Sequence, residues 1–302
     1  MTRRAEELVD AVPLYPLRDR LPTPLYYAYR FARTCLVALC FAAFWSGVLL
    51  VGWLWFPLLA LWPGTRAEKL HRAQRAARRG FKVFHGMMSS LRLYRHTSAA
   101  TRLRPGAAPA VLIANHPTLC DVTSIMARFP HVVALARVGF AGHPLLRRLV
   151  RSCGLVSAGT HVIVDCLERL RLGFDVIVFP EGTRSPVGGL HRFHRGAFEL
   201  AMRAKAPIVL LKLTCAPSAL SKGLPIWKVA DHTAVLTIEV IDTISPEAQG
   251  TDSRALCRAI EERYRALLGY PAPVAQASVA EAAPTPKPTA STPAPTPSEI
   301  AS

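Results

Sequence analysis

From Thr34 to Trp62 the chain carries no charged residue. The stretch TCLVALCFAAFWSGVLLVGWLWFPLLALW exceeds the roughly 20 apolar residues that a helix needs to cross a bilayer. Trp53, Trp55 and Trp62 gather toward its end, where a spanning helix would meet the headgroups. Pro57 would kink or end a helix, and Pro63-Gly64 stops it. A helix buried in a soluble core is the alternative, but core helices rarely run so long without a charge. The segment therefore predicts membrane contact. Met1 to Asp10 is polar and mixed in charge, and the apolar run starts late and lasts long, which predicts no secretory leader.

Composition sharpens this. Lysine and arginine number 37 against 20 acids, a net charge of +17, yet 51% of the 302 residues are hydrophobic and only 19% charged. A charged disordered chain would not be half apolar, and an ordinary soluble basic domain would not have a positive mean hydropathy, +0.23 here. The charge also has an address. Arg66, Lys69, Arg72, Arg75, Arg78, Arg79, Lys82, Arg92, Arg95, Arg102 and Arg104 are opposed only by Glu68, so this segment supplies ten of the net charges. Within it Leu70, Ala73, Ala77, Phe81, Phe84, Met88 and Leu91 recur at three- and four-residue steps, which predicts one apolar helical face. A basic amphipathic helix after an apolar run predicts an interfacial helix on anionic lipid, on the cytoplasmic side. Few aromatics interleave with the cations, which argues against nucleic acid as a partner.

From about Ala108 to Ile244 short apolar runs alternate with helical stretches. Ala110–Ala114, Val132–Ala136, Val176–Phe179, Ile208–Leu213 and Val235–Ile241 read as buried strands. Leu119–Arg128, Pro144–Ser152, Val162–Leu172, Gly196–Ala204 and a final Asp252–Leu268 read as helices. Continuously apolar strands alternating with helices predict an α/β fold with a mostly parallel central sheet flanked by helices. The tail 271–302 holds eight of the 25 prolines among Ala, Thr and Ser, a composition that predicts disorder. The seven cysteines are scattered and form no CxxC pair, so they read as buried hydrophobes rather than disulfides or metal ligands. The organisation expected is an N-terminal segment (1–33), an anchor of two helices (34–104), a catalytic domain (105–270) and the tail (271–302).

Two loops carry the chemistry. Asn115-His116-Pro117-Thr118-Leu119-Cys120-Asp121 follows a predicted strand directly. Pro117 suits the first turn of a helix, so His116 belongs at the strand's carboxyl end and Asp121 about one turn on. The carboxyl ends of the strands are where ligands bind in open α/β sheets. A carboxylate on one ring nitrogen fixes the tautomer and leaves the other free to take a proton. Phe179-Pro180-Glu181-Gly182-Thr183-Arg184-Ser185 closes another predicted strand. Its Gly, hydroxyl and Arg suit an anion, because arginine grips phosphate through two donors.

NHPTLCD and FPEGTRS together resemble the NHxxxxD and FPEGTRS motifs of the glycerolipid (PlsC-type) acyltransferase family, which includes 1-acyl-glycerol-3-phosphate acyltransferases. Phe193-His194-Arg195-Gly196 is similar to the basic-Gly step that follows in that family, and Ala206-Pro207-Ile208-Val209 to its fourth block, with Leu210 in place of a second proline. The segment Thr34–Tyr94 is similar to its N-terminal membrane-associated two-helix element. One departure stands out: the second block, Cys153-Gly154-Leu155-Val156-Ser157-Ala158-Gly159, lacks the arginine that the family associates with acceptor phosphate. That leaves the acceptor open between lysophosphatidate and another lipid alcohol.

The resemblance implies O-acyl transfer from an acyl thioester, acyl-CoA or acyl carrier protein, to the hydroxyl of a lysophospholipid or related lipid at a membrane, with no bound cofactor and no metal. His116 would be the general base and Asp121 its orienting partner. Glu181, Gly182, Thr183, Arg184 and Arg195 would form the substrate-binding set, Glu181 by shaping its loop, and Cys120 would be a packing residue. A silent lipid or carrier-protein binding module on the same fold and a thioester hydrolase are the alternatives.

Overall fold

A computed structural model describes residues 17–55, 58, 61–98, 108–136, 155–157, 159, 161–223 and 229–270. The expected helix Pro144–Ser152, the tail 271–302 and, in the second motif block, Cys153, Gly154 and Ala158 lie outside the described residues.

The apolar run does form one long helix, but it starts eleven residues before Thr34. Helix α1 spans Thr23–Leu50 and continues as a π-helical turn over Val51–Trp55. Arg33 explains the earlier start. Its guanidinium is buried, and Nε donates to Ala230 O at 2.9 Å while Nη2 donates to Arg92 O and His232 O at 3.2 Å. Three carbonyls satisfy the charge, so the helix carries an arginine without exposing it. The helix is long and apolar enough to cross a membrane, and only 17% of its most apolar window is buried. It is therefore no core helix. Tyr26, Arg33, Val37 and Cys40 form its narrow buried stripe, while Phe31, Leu39 and Leu50 lie exposed.

Helix α2, Arg66–Ser90, opens on a capping box: Glu68 N donates to Thr65 Oγ1 at 3.3 Å and Thr65 N to Glu68 Oε2 at 2.8 Å. Its periodicity is as expected, but its apolar stripe faces protein rather than lipid. Ala73, Ala77, Phe84 and Met88 are buried, with Phe44 of α1 against Phe84 at 4.6 Å between ring centroids. His71 stacks on Phe174 at 4.2 Å, and Gln74 Nε2 donates to Val132 O at 3.3 Å. An interfacial helix and a core-covering helix share the same 3.6-residue period, so only packing separates them.

The sheet joins β1 (Tyr94–Thr97), β2 (Val111–Ala114), β3 (Val132–Ala136), β4 (Val156–Ser157), β5 (Asp175–Val178), β6 (Ile208–Ala216) and β7 (Ala234–Ile244) in the order β1-β7-β6-β2-β5-β3-β4. All pairs are parallel except β6 with β7, which carries a bulge at Leu210/Leu211. The mostly parallel α/β expectation holds. Edge strand β1, part of the stretch grouped with the anchor, is hydrogen bonded into the sheet beside β7. Strand β2 is central, and its residues alternate between two cores. Ala110, Leu112 and Ala114 join α1, α2 and α3 (Asp121–Arg128) on one face. Val111 and Ile113 join α4 (Val162–Arg171), α5 (Gly196–Ala204) and α6 (Ser253–Leu268) on the other. Tyr264 of α6 donates its hydroxyl to Ile113 O at 2.7 Å and Leu211 O at 2.8 Å, tying the helix to the sheet's centre. Gly269, at φ 70°, closes α6 in the left-handed conformation.

Candidate active site

Strands β2 and β5 are parallel neighbours, so the loops that follow them leave the sheet at the same edge. Asn115 pins the first loop. Its buried amide donates to Leu213 O and accepts from Leu213 N, both at 2.8 Å, which locks the end of β2 to β6. The next residue, His116, sits with its ring over Phe179 at 4.2 Å and an interplanar angle of 26°. His116 Nδ1 lies 2.7 Å from Asp121 Oδ2. A carboxylate only accepts, so Nδ1 carries the hydrogen and Nε2 the lone pair.

Asp121, the first residue of α3, is fully buried at 0% exposure. Its Oδ2 also accepts from Thr118 N at 2.8 Å, and its Oδ1 from Thr118 Oγ1 at 2.5 Å. Three donors from two residues thus surround the carboxylate, which compensates its removal from water. Thr118 in turn approaches Tyr94 Oη at 3.5 Å, linking the pair to edge strand β1.

The second loop is built around Glu181, buried at 3% exposure. Oε1 accepts from His116 N at 3.1 Å and Ser185 Oγ at 2.5 Å, and Oε2 from His191 N at 2.9 Å. Ser185 N closes the contact by donating to His116 O at 2.8 Å. Burial pushes the Glu181 carboxyl up, against the pull of those donors. Glu181 therefore fastens one loop to the other. Gly182 turns the chain at φ 67°, where a side chain would be strained. Arg184 is half-buried and donates Nη1 to Leu220 O at 3.0 Å, the same carbonyl that accepts from Leu119 N.

Comparison with known proteins matches this region. Residues 94–212 fit the family model described as Acyltransferase. Human 1-acyl-sn-glycerol-3-phosphate acyltransferase beta is 31% identical over 144 residues, 43% of this chain and 48% of that protein. The 1-acyl-sn-glycerol-3-phosphate acyltransferase of Neisseria gonorrhoeae is 27% identical over 184 residues, 55% of this chain and 71% of its own. The crystal structure of the 1-acyl-sn-glycerophosphate (LPA) acyltransferase PlsC from Thermotoga maritima superposes with a TM-score of 0.60 at 18% identity, covering 80% of this chain and 96% of that one. Over this region the chain resembles the PlsC-type acyltransferases. It spans about half the length of the human relative, and the Thermotoga likeness bears on the fold alone.

The fold brings His116, Asp121 and Glu181 into one hydrogen-bonded cluster, with Gly182, Thr183 and Arg184 on the loop that Glu181 holds. Arg195 is exposed at the start of α5, where its carbonyl accepts from Phe198 N and Glu199 N at 3.0 Å, one residue after His194, whose N–H donates to Pro180 O at 2.8 Å. Cys120, inside the first motif, is buried, and burial raises its thiol so far that it stays protonated. It belongs to the apolar core that also holds Ile125 and Met126. Among the described residues no group of three His, Cys, Asp or Glu side chains could hold a metal ion. Sequence reasoning passed over Thr118, Asn115, Phe179 and Ser185. The hydroxyl three residues before Asp121 was the available signal, since Ser and Thr often bond locally at helix starts.

Proposed function

We propose that this chain is a PlsC-type acyltransferase that moves a fatty acyl group from a thioester, acyl-CoA or acyl carrier protein, to the hydroxyl of a lysophospholipid or related lipid, with no bound cofactor. The observation that carries this reading is the 2.7 Å contact of His116 Nδ1 with buried Asp121, which leaves Nε2 as the basic nitrogen.

A lipid hydroxyl hardly ionises at neutral pH, so it needs a base as it attacks. His116 Nε2 takes its proton while the oxygen forms a bond to the thioester carbonyl carbon. The resulting imidazolium is stabilised by Asp121. The tetrahedral intermediate then expels the thiol sulfur, which leaves with the proton held by His116, and the base is regenerated. A positioned base contributes roughly 10²–10⁴-fold. Thr183 and Arg184, with the Gly182 backbone, hold anionic groups of acceptor or donor, and Arg195 adds a cation at the rim.

The exposed apolar flank of α1 supports a membrane location, and the cations of 66–104 support the cytoplasmic face. The relatives' names support a 1-acylglycerol phosphate acceptor. The missing second-block arginine keeps another lipid alcohol open.

Detergent-solubilised protein incubated with labelled acyl-CoA or acyl carrier protein, with and without 1-acylglycerol phosphate or other lyso-lipids, tests this. Acylated lipid formed only when both substrates are present is expected. Thioester loss without acceptor would identify a hydrolase, and binding without turnover a silent module. Tag accessibility at the two termini tests the orientation.

A further inference from the structure

Residues 189–194, just after the FPEGTRS loop, form neither helix nor strand. Leu190 and Phe193 are nevertheless buried, so their main-chain polar groups need partners from elsewhere. Helix α6 supplies them. Glu261 Oε2 accepts from Phe193 N at 2.9 Å, Arg265 Nη2 donates to Leu190 O at 3.1 Å, and Cys257 Sγ donates to Phe193 O at 3.6 Å. The residues between and after them bond to the motif loop instead. His191 N donates to Glu181 Oε2 at 2.9 Å and His194 N to Pro180 O at 2.8 Å. Residues 190–194 are thus a strap, tied to α6 through Leu190 and Phe193 and to the motif loop through His191 and His194.

Glu261 and Arg265 are also each other's partner. They stand one helical turn apart, each only 9% exposed, with Arg265 Nε and Nη2 donating to Glu261 Oε1 at 3.2 and 3.0 Å. An ion pair taken out of water contributes little stability over apolar side chains of similar volume. What the charges add here is direction. The carboxylate divides its oxygens between Arg265 and the Phe193 N–H, and the guanidinium reaches both Glu261 and the Leu190 carbonyl. Apolar side chains would fill the same space and hold neither group. Tyr264 meets the Phe193 ring edge-on at 5.5 Å, while its hydroxyl is bonded to Ile113 O and Leu211 O. Helix α6 therefore registers the strap against the end of β2, the strand that leads into His116.

We infer that Glu261 and Arg265 are positioning residues for the active site, acting through the strap on the FPEGTRS loop. The inference rests on the acyl-transfer reading. His191 N is one of the donors on Glu181, the residue that ties the two motif loops together. The His194 ring lies against Gly182, where a Cβ would meet its Cδ2 at 3.4 Å. Releasing the strap frees the loop that carries Thr183 and Arg184, whereas His116 and Asp121 keep their own bonds. The cost therefore falls on substrate binding more than on turnover. Both residues lie outside the stretch 94–212 that fits the family model, so the motifs alone do not point to them.

The full chain in detergent carries the test. Glu261→Gln and, separately, Arg265→Gln are expected to raise KM for acyl donor or acceptor about tenfold, with kcat within about threefold. Glu261→Asp keeps both charges but shortens the reach to Phe193 N. It is expected to shift KM the same way by a smaller factor, and it decides the matter if the glutamine variants fail to fold by circular dichroism. Arg265→Lys keeps a cationic donor and is expected to recover most of the KM. Arg263→Gln breaks the neighbouring α6–β7 ion pair, 2.6 Å from Asp242, and is expected to leave KM at the parent value. A purely structural role would lower the yield of folded enzyme and leave KM unmoved in every variant. Amide exchange gives a readout without turnover. Gly182 N and Ser185 N are bonded to Phe179 O and His116 O, so 180–186 is expected to exchange about tenfold faster in the glutamine variants and unchanged in Arg263→Gln. If the parent makes no acylated lipid, the acyl-transfer reading fails, and exchange alone decides whether α6 positions this loop. Parental exchange over 180–186, or an unmoved KM in folded Glu261 and Arg265 variants of an active parent, would overturn the inference.

Discussion

Thr118 clasps Asp121 from two sides, with its backbone N–H on Oδ2 at 2.8 Å and its hydroxyl on Oδ1 at 2.5 Å. The clasp leaves Oδ2 aimed at His116 Nδ1, so the orientation of the proposed base is set one residue beyond the recognisable pair. Thr118→Val removes the hydroxyl and leaves a buried carboxylate oxygen short of a donor. A stability loss of about 1–3 kcal/mol is expected, with kcat falling and KM nearly unchanged. Urea unfolding and steady-state acyl transfer measure the two effects, and Thr118→Ser is expected to restore both. Failure of the serine variant to rescue would remove Thr118 from this role.

His116→Ala is expected to lower acyl transfer by roughly 10²–10⁴-fold while leaving the fold intact. Asp121→Asn replaces an acceptor that meets three donors with a group that also donates, and is expected to lower kcat comparably. The double variant should be little worse than either single one, because the two residues act as a unit. Additive losses would separate their roles.

Cys120→Ala is expected to keep activity within about threefold, well below the effect of losing a positioned base. The thiol is buried and protonated, so it supplies no thiolate. An acyl-enzyme trapped at Cys120 and seen by intact-protein mass spectrometry would contradict this.

His85 gives the fold an acid-sensitive side. Burial, and next to it the His96 ring, push His85 down from 6.5 to about 3. The unfolded chain binds that proton more readily, so the stability is present above the unfolded value and is lost as pH falls from about 6.5 toward 3. His85→Gln keeps a donor for Thr123 and removes the titration. Chemical unfolding across that range is expected to show a shallower acid loss in the variant than in the parent; equal slopes would exclude His85 as the cause.

Arg33 fastens α1 to the sheet domain through the carbonyls of Ala230, Arg92 and His232. Arg33→Met matches its length but donates nothing. A loss of about 2 kcal/mol is expected, because Ala230 O and His232 O lose a donor whereas Arg92 O keeps Thr233 Oγ1 at 2.9 Å. It should appear as faster amide exchange in 229–232 and the first turns of α1, with the centre of the sheet unchanged.

Much of the arrangement was legible because local rules agreed with the tertiary outcome. Continuous apolar runs marked β2, β3, β5 and β6, since strands covered on both faces need no polar alternation. The end of α6 agrees with the expected Asp252–Leu268, since Gly269 takes the left-handed cap that suits glycine. Strand β1 was missed: Tyr94-Arg95-His96-Thr97 is polar and short, and only its pairing with β7 makes it a strand. The start of α1 was missed because Arg30 and Arg33 look like the end of an apolar segment, whereas Arg33 is satisfied by carbonyls about two hundred residues away.

The apolar run from Thr34 to Trp62 and the spacing of His116 and Asp121 stand in the chain itself, because helical period, hydropathy and a five-residue return are local properties. The rest waited on tertiary structure. Whether the basic helix turns its apolar stripe to lipid or to protein, that Glu181 laces the two loops together, and that Glu261 and Arg265 hold the strap behind the second loop all depend on residues distant in sequence. A period states which side chains share a face; only packing decides what that face meets.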